Sequence, residues 1–533
     1  MNAIAPVSAE RRSAAVTSAG LGLGALLFGI GLVARLAPLL DAGGRLLRQF
    51  PSEDGYLMLT IARNIAIGKG MSVADGLQPT NGTQPLATLL WAGVFRLAGG
   101  DRQLGVLGIQ LVEVALSGLS ALLLFALARR LWRGLAHGET AALLVSAAWF
   151  AAPLCVTHSM NCLETGLYTC IVIAVARIFA DSPQPEPWGM RRCLAIGALL
   201  GAAFWSRNDA VFLVLAACLV HVGFVLIDAR KSLMRRVGET LAFGATSVAA
   251  AAPWLAYNQL RFGAIVPVSG QSEALEARFG ENLVNAPISL FEYATLYLPI
   301  PGSLEREPWV LLVATATCAA VALLVARVLR SGEPAARAVA ALGAVFGIAL
   351  VAFYGLSFGA GYFFSRYMFP LSPFLALLAG SVLRRARELA DARGWAAVSF
   401  AAALVLLALA VGLDLRLYRN GASHMHFQVV EWVKNNVPDD AWVAAPQSGT
   451  LGFFHDRTIN LDGKVNPAAL AVRKRDGAVT RYVLEQRQIA YLADWEGIAS
   501  WAQQPPIAAE FELIVDDPEH NLAVLRRRTQ AVN

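Results

Sequence analysis

Charge is what this chain has least of. Only 15% of its 533 residues are Asp, Glu, Lys or Arg, against roughly 25% in an ordinary soluble protein. With 56% apolar residues and a mean hydropathy of +0.53, the shortfall excludes a soluble globular protein and implies an integral membrane protein. The net charge of +6 is small and its basic residues sit in short loops, so nucleic acid is not the expected partner. Reactive cysteine patterns are missing too. Cys155, Cys162, Cys170, Cys193, Cys218 and Cys318 lie in or beside apolar runs, with no CxxC and no Cys/His pairing at zinc spacing. They read as small buried side chains, although Cys155 and Cys162 could meet across a short turn. His158 and His221 stand alone, so no metal site is expected from them. There is no internal repeat and no low-complexity tract. Arg11 and Arg12 precede an apolar run longer than a signal-peptide core, and no clean small-residue cleavage site follows, so the run is expected to stay as a membrane span.

What is present is a series of apolar runs. At roughly 20 residues per span, they fall near 18–40, 104–128, 139–157, 162–181, 192–206, 209–227, 238–257, 308–328, 336–357, 367–384 and 394–414, about eleven helices. With the N-terminus inside, the inward loops carry Arg129-Arg130 and Arg133, Arg191-Arg192, Arg230-Lys231 with Arg235-Arg236, Arg327 to Arg337, and Arg384-Arg385 with Arg387. All five are basic, the positive-inside pattern. The expectation is a multi-pass protein of a bacterial cytoplasmic membrane, N-terminus cytoplasmic and C-terminal tail outside.

Three longer segments then share the outer side: 41–103, 258–307 and 415–533. The first contains a half-buried helix at Pro85–Phe95. The third has soluble composition. A helix at 426–437, strands at 442–445, 458–461, 489–492, 511–515 and 522–525, and helical stretches near 467–485 and 495–503 suggest a small α/β unit. It has no GxGxxG and no P-loop. The expected domains are 1–414 in the membrane and 415–533 outside it.

Polar residues at the ends of the apolar runs cluster on that outer side. Glu53 and Asp54 head the first loop, before a helix with Leu57, Ile61 and Ile65 at helical spacing. Glu164 opens the fourth run. Arg207 and Asp209 lie between the fifth and sixth, and Asn258 and Arg261 follow the seventh. Tyr362, Arg366 and Tyr367 precede the tenth. Ionisable groups this near a bilayer are functional candidates by default. Each also has a plainer reading: Asp54 or Glu164 as a helix cap, Arg207 and Asp209 as an ion pair bracing a turn, Arg366 and Tyr367 as interfacial anchors, and Asn81-Gly-Thr83 as a turn rather than a glycosylation acceptor. Taken together they describe one polar cavity rimmed by carboxylates and arginines. A carboxylate can take a proton from an attacking hydroxyl, while arginines hold a departing phosphate.

Glu53-Asp-Gly-Tyr56, Ala62-Arg-Asn64, Gly68-Lys-Gly70, Asn81-Gly-Thr-Gln-Pro-Leu86, Leu163-Glu-Thr-Gly-Leu-Tyr168, Ser206-Arg-Asn-Asp209 and Ser365-Arg-Tyr-Met-Phe-Pro370 occur in the order and setting of a known superfamily. So do Gly449-Thr-Leu-Gly-Phe-Phe454 and Ile459-Asn-Leu-Asp-Gly463 in the tail. The chain resembles the GT-C glycosyltransferases across nearly its whole length, most of all bacterial arabinofuranosyltransferases, and more distantly ArnT-like and protein O-mannosyltransferase enzymes. The resemblance implies a mainly α polytopic fold with an outer α/β domain. It implies transfer of a sugar, arabinofuranose by this likeness, from a polyprenyl-phosphate donor to a cell-envelope glycan, lipid or protein acceptor, with inversion. Asp54 falls at the superfamily's key acidic position and is the expected general base. Glu53 stands beside it where the superfamily has Asp, and is the second expected catalytic-site carboxylate, with Glu53 or Glu164 positioning the sugar or acceptor. Glu164, Arg207, Asp209, Arg261, Tyr362, Arg366 and Tyr367 are the expected substrate-binding residues. Metal use varies across the superfamily, so the resemblance fixes no cofactor and leaves a divalent cation open. A rival reading is a lipid-linked-sugar flippase, which requires polar groups near the bilayer midplane and pseudo-symmetric halves with broken helices. Neither is visible in the sequence. A purely structural scaffold leaves the clustered charges unexplained.

Overall fold

The computed structural model describes residues 9–41, 44–181, 188–227, 233–296, 300, 304–359, 361, 364–395 and 426–528, with isolated positions between 401 and 416. The membrane part contains helices α1 (Ala9–Leu36), α2 (Glu53–Ala66), α3 (Pro85–Leu97), α4 (Arg102–Leu131), α5 (Gly138–Ala151), α6 (Pro153–Ser159), α7 (Thr165–Asp181), α8 (Met190–Ser206), α9 (Val211–Ile227), α10 (Leu233–Phe262), α11 (Val268–Glu273), α12 (Pro308–Ser331), α13 (Pro334–Ser357), α14 (Phe364–Met368) and α15 (Ser372–Ala392). Among the described residues, five helical stretches are long and apolar enough to span: 20–40, α4, α12, α13, and α14 running on into α15. The pair α5 and α6 makes a sixth if its 60° bend belongs to one span. The bend falls where Ala152 is extended and Pro153 follows, because proline disfavours α geometry in the residue before it.

Five apolar runs therefore stand apart from the expected count of eleven. Four of them are helices. α7, α8 and α9 have 17 described residues each, α7 and α9 ending where the described residues end, which is the lower limit of the roughly 17–25 residues a span needs. α10 is long enough at 30 residues, but it is interrupted by Pro253 and diluted with Ala, Gly, Ser and Thr. Those small residues serve packing. α10 lies along α8, and a Cβ on Gly197 or Gly201 would come within 2.5 Å of Thr246 or 2.4 Å of Ala250. Close backbone approach through small residues is how helices associate where water does not drive them together. The eleventh run, 394–414, lies largely outside the described residues.

The tail supplies α16 (Phe427–Asn436) and α17 (Gly449–Phe454). Its five-stranded sheet is made of β3 (Trp442–Ala445), β4 (Thr458–Asn460), β5 (Ile489–Asp494), β6 (Phe511–Asp517) and β7 (Leu522–Arg527). β1 (Ser72–Val73) and β2 (Gln78–Pro79) form a small hairpin in the first long loop. The sheet order is β4-β3-β5-β7-β6. β3 runs parallel to β4 and β5, with helices in the connections. β7 pairs antiparallel with β5 and β6. The expected βα alternation therefore accounts for one half of the sheet, and a hairpin completes the other.

The tail packs directly on α2. Tyr56 is buried among Phe427, Phe453 and Phe454. Ile61 joins the core that contains Ile459, Leu492 and Leu525. One short helix is thus sandwiched between the membrane helices and the sheet.

Candidate functional site

Local chemistry starts α2 where it does. Ser52 caps it, accepting from the Gly55 N–H at 3.0 Å, and Glu53 and Asp54 place negative charge at the positive end of the helix. Gly55 is required by close approach, since a Cβ there would lie 2.3 Å from the Asn161 carbonyl oxygen. The turn therefore sits hard against the loop 160–164, which carries Glu164.

From that turn the two carboxylates diverge. Asp54 Oδ2 pairs with Arg366 Nη1 at 2.9 Å. Burial pushes its pKa up, but the charges of Arg366 and Lys464 outweigh burial and hold it below the usual carboxylate range. Glu53 turns to the tail. It accepts from the Gly449 and Thr450 N–H groups, the second at 2.9 Å, and from the Thr450 hydroxyl. His426 lies 3.6 Å away. Glu53 thus caps α17 from another part of the chain, and its contacts are those of a bracket between α2 and the tail.

Behind Asp54 lies a buried network. Arg207 donates to Asp209 through Nε and Nη2, at 3.1 and 2.8 Å to Oδ2, and to Glu164 through Nη1 at 3.1 Å. Its Nη2 also donates to the Tyr354 hydroxyl at 2.9 Å, which in turn donates to Asp209 at 2.6 Å. Tyr367 stacks on Tyr354 with ring centroids 4.3 Å apart. The Arg207 and Arg366 guanidiniums lie 4.8 and 5.2 Å from the Tyr367 ring centroid, within cation–π range. Arg207 is engaged on three nitrogens, so it braces the floor. Arg366 meets Asp54.

The tail supplies the third cation. Lys464 follows Asp462 and Gly463 in the loop after β4, and its Nζ pairs with Glu273 of α11 at 2.7 Å. Burial lowers its pKa, but Asp54, Asp462 and Glu273 raise it further, so it stays charged. Burial pushes Asp462 up to about 6, opposed by Lys464. The first loop is fitted to this cation: a Cβ on Gly82 would lie 2.0 Å from the Lys464 carbonyl oxygen.

The structure thus brings together Asp54, Glu164, Arg207, Asp209, Arg366 and Tyr367. Arg261 is exposed at the end of α10 and joins none of these pairs among the described residues. Tyr362 lies outside the described residues. Asn81 is fully buried, donating to Asn258 at 3.1 Å and accepting from the Val268 N–H at 3.0 Å, so it serves the turn. All six cysteines are free. Among the described residues no three His, Cys, Asp or Glu side chains converge as metal ligands. Sequence reasoning missed Lys464, Glu273 and Tyr354. The Asn-Leu-Asp-Gly segment at 460–463 pointed at the Lys464 loop. Nothing distinguished Tyr354 from the aromatics of its apolar run.

A family model described as dolichyl-phosphate-mannose-protein mannosyltransferase matches residues 80–257, and one described as a domain of unknown function matches 416–530. No curated protein matches the chain. Among solved structures, ArnT from Cupriavidus metallidurans bound to undecaprenyl phosphate is 14% identical with a TM-score of 0.61, over 96% of this chain and 98% of that one. The oligosaccharyltransferase AglB from Archaeoglobus fulgidus, in complex with an inhibitory peptide and a dolichol-phosphate, is 12% identical with a TM-score of 0.53, over 96% and 75%. At these identities the likeness is one of fold: the chain has the GT-C glycosyltransferase fold.

Proposed function

We propose that this chain is a membrane glycosyltransferase that uses a polyprenyl-phosphate sugar, with its site on the extracytoplasmic side of a bacterial inner membrane and its N-terminus in the cytoplasm. The observation that carries the reading is the ion pair of Asp54 with Arg366 at 2.9 Å, on which the charge of Lys464 also acts, in a fold that ArnT shows bound to undecaprenyl phosphate.

In this reading the donor phosphate enters beside Arg366 and Lys464. It competes with Asp54 for both cations. Partial release of Asp54 raises its basicity as the donor arrives, so the base is strengthened only when substrate is present. The acceptor hydroxyl oxygen attacks the anomeric carbon and loses its proton to Asp54. The bond from that carbon to the phosphate oxygen breaks, and the polyprenyl phosphate leaves with the electron pair, stabilised by the two cations. Attack opposite the leaving group inverts the centre. Arg207, Asp209 and Glu164 hold Tyr367 and, through it, the orientation of Arg366. Glu53 holds the tail in place.

The sugar favoured by the motif likeness is arabinofuranose, and the acceptor is a cell-envelope glycan or lipid. The test is to incubate purified protein in nanodiscs with radiolabelled polyprenyl-phosphate arabinofuranose, aminoarabinose, mannose and glucose, together with a cell-envelope extract. Arabinofuranose consumption with release of polyprenyl phosphate is expected. Consumption of a different sugar would correct the donor alone. Movement of lipid across vesicles without any cleavage would replace the transferase reading with a flippase.

A further inference from the structure

Away from Asp54, a pocket of about 360 Å³ opens between the 72–79 hairpin of the first loop and the sheet of the tail. That volume is in the range of small-ligand sites. Its polar lining is Gln78, Asn466, Gln486 and Gln488, with the rings of Trp442 and Tyr482. No Asp, Glu, Lys, Arg or His lines it among the described residues. The contrast with the Asp54 site, which gathers three cations, is sharp.

Side-chain amides and a phenol tie its wall together. Gln78 Nε2 donates to the Tyr482 hydroxyl at 3.0 Å, and Asn466 Nδ2 donates to the same oxygen at 2.9 Å. Both acceptor positions of that hydroxyl are then taken, and its proton is left to donate. Beside it, the Gln78 carbonyl oxygen is buried without a partner among the described residues. Turning the Gln78 amide over, end for end, pairs that oxygen with the Tyr482 proton, so the wall satisfies itself from within. The amides of Gln486 and Gln488, half-buried and exposed respectively in the lining, each set donors beside an acceptor, the complement of an alcohol, which both gives and takes a hydrogen bond. Amide side chains bind further hydroxyls, and the indole of Trp442 offers an apolar ring for the C–H face of a sugar.

We propose that this pocket binds an uncharged oligosaccharide chain, and that it is the acceptor subsite of the enzyme. An acidic or phosphorylated glycan would meet no cation in the lining itself, and the Arg457 guanidinium, 5.8 Å from the Trp442 ring centroid, is engaged with that ring and with the Asp440 carbonyl. The pocket's position fits an acceptor that runs on to Asp54. Asn466 lines the pocket, and two residues before it on the same loop Lys464 pairs with Glu273 at the reactive end. The acceptor role rests on the transferase reading above; the binding itself does not.

The experiment is isothermal titration of the full-length protein in nanodiscs with linear arabinofuranosyl, cello- and malto-hexasaccharides, and with hexagalacturonate as the acidic counterpart. At least one neutral hexasaccharide is expected to bind, and hexagalacturonate at least about tenfold more weakly. Trp442→Ala and Gln78→Leu are expected to weaken the neutral ligand by about tenfold or more, while Arg129→Ala, exposed near the end of α4 and away from both sites, leaves its affinity unchanged. Should Trp442→Ala fail to fold, Gln78→Leu and Gln486→Ala carry the comparison. Absence of neutral binding, equal or tighter binding of hexagalacturonate, or indifference to both pocket variants overturns the proposal. If the hexasaccharide binds as expected and no polyprenyl-phosphate sugar is ever consumed, the transferase reading fails and the pocket stands. If sugar is consumed and no neutral glycan binds, the pocket proposal fails alone.

Discussion

Asp54 sits under two opposing influences, and their balance makes a pH prediction. Burial favours its protonated form, and Arg366 and Lys464 favour its ionised form more strongly. The carboxylate is therefore in its basic form at neutral pH and is protonated only as pH falls through a lowered pKa. Lys464→Met removes one cation and keeps the burial, so that pKa rises. The acid limb of kcat/KM should move to higher pH, alongside a slower reaction; an unmoved limb contradicts the coupling of Lys464 to Asp54. Tyr354 makes a second prediction. Its hydroxyl ties Arg207 to Asp209, so Tyr354→Phe should cost about 1–3 kcal/mol, read as a lower midpoint of unfolding. Most of these residues were legible in the sequence because charges at the ends of apolar runs stand out. Lys464 was not, because a lysine in a soluble tail has no such contrast, and its partners are distant in the chain. Glu53 was misleading for the opposite reason. Its place beside Asp54 suggested a residue that positions the sugar or acceptor, but successive residues in the first turn of a helix point about 100° apart, and Glu53 meets the tail instead.

That divergence gives α2 its role as an element. One residue of its first turn faces the site and the other fastens the tail. Glu53→Ala should leave the α17 N–H groups without their carboxylate and weaken the tail's attachment by about 1–3 kcal/mol, read as a lower midpoint of thermal unfolding. An unchanged midpoint would show that the aromatic contacts of Tyr56 suffice. Gly82→Ala tests the other seam. The added Cβ would sit 2.0 Å from the Lys464 carbonyl, so the loop must retreat. Because an ångström of misplacement costs up to about a hundredfold in rate, transfer should drop by roughly tenfold to a hundredfold in a protein that still folds. At this scale the tail was readable: its five strands appeared as short β-branched and apolar runs, and β3 to β7 occupy them. The span count was less so. α7, α8 and α9 have 17 described residues each, at the lower limit of the roughly 17–25 that a span needs, and α7 and α9 end where the described residues end.

For the whole molecule, the membrane helices and the tail complete one site between them. The helices bring Glu164, Arg207, Asp209 and Arg366 to one end, α2 supplies Asp54, and the sheet's loop closes the arrangement with Lys464. The hydropathy pattern and the order of the motifs made the GT-C fold legible, since both are properties of the chain as a line. The meeting of residue 54 with residue 464 depends on how the tail folds back. The central claim is that Asp54 takes the acceptor's proton, and the most direct measurement is single-turnover cleavage of the polyprenyl-phosphate sugar by Asp54→Asn against the parent. Equal donor binding and matching thermal unfolding are required first. The account predicts that Asp54→Asn binds donor and transfers about 10²- to 10⁴-fold more slowly, whereas transfer at the parental rate would contradict it.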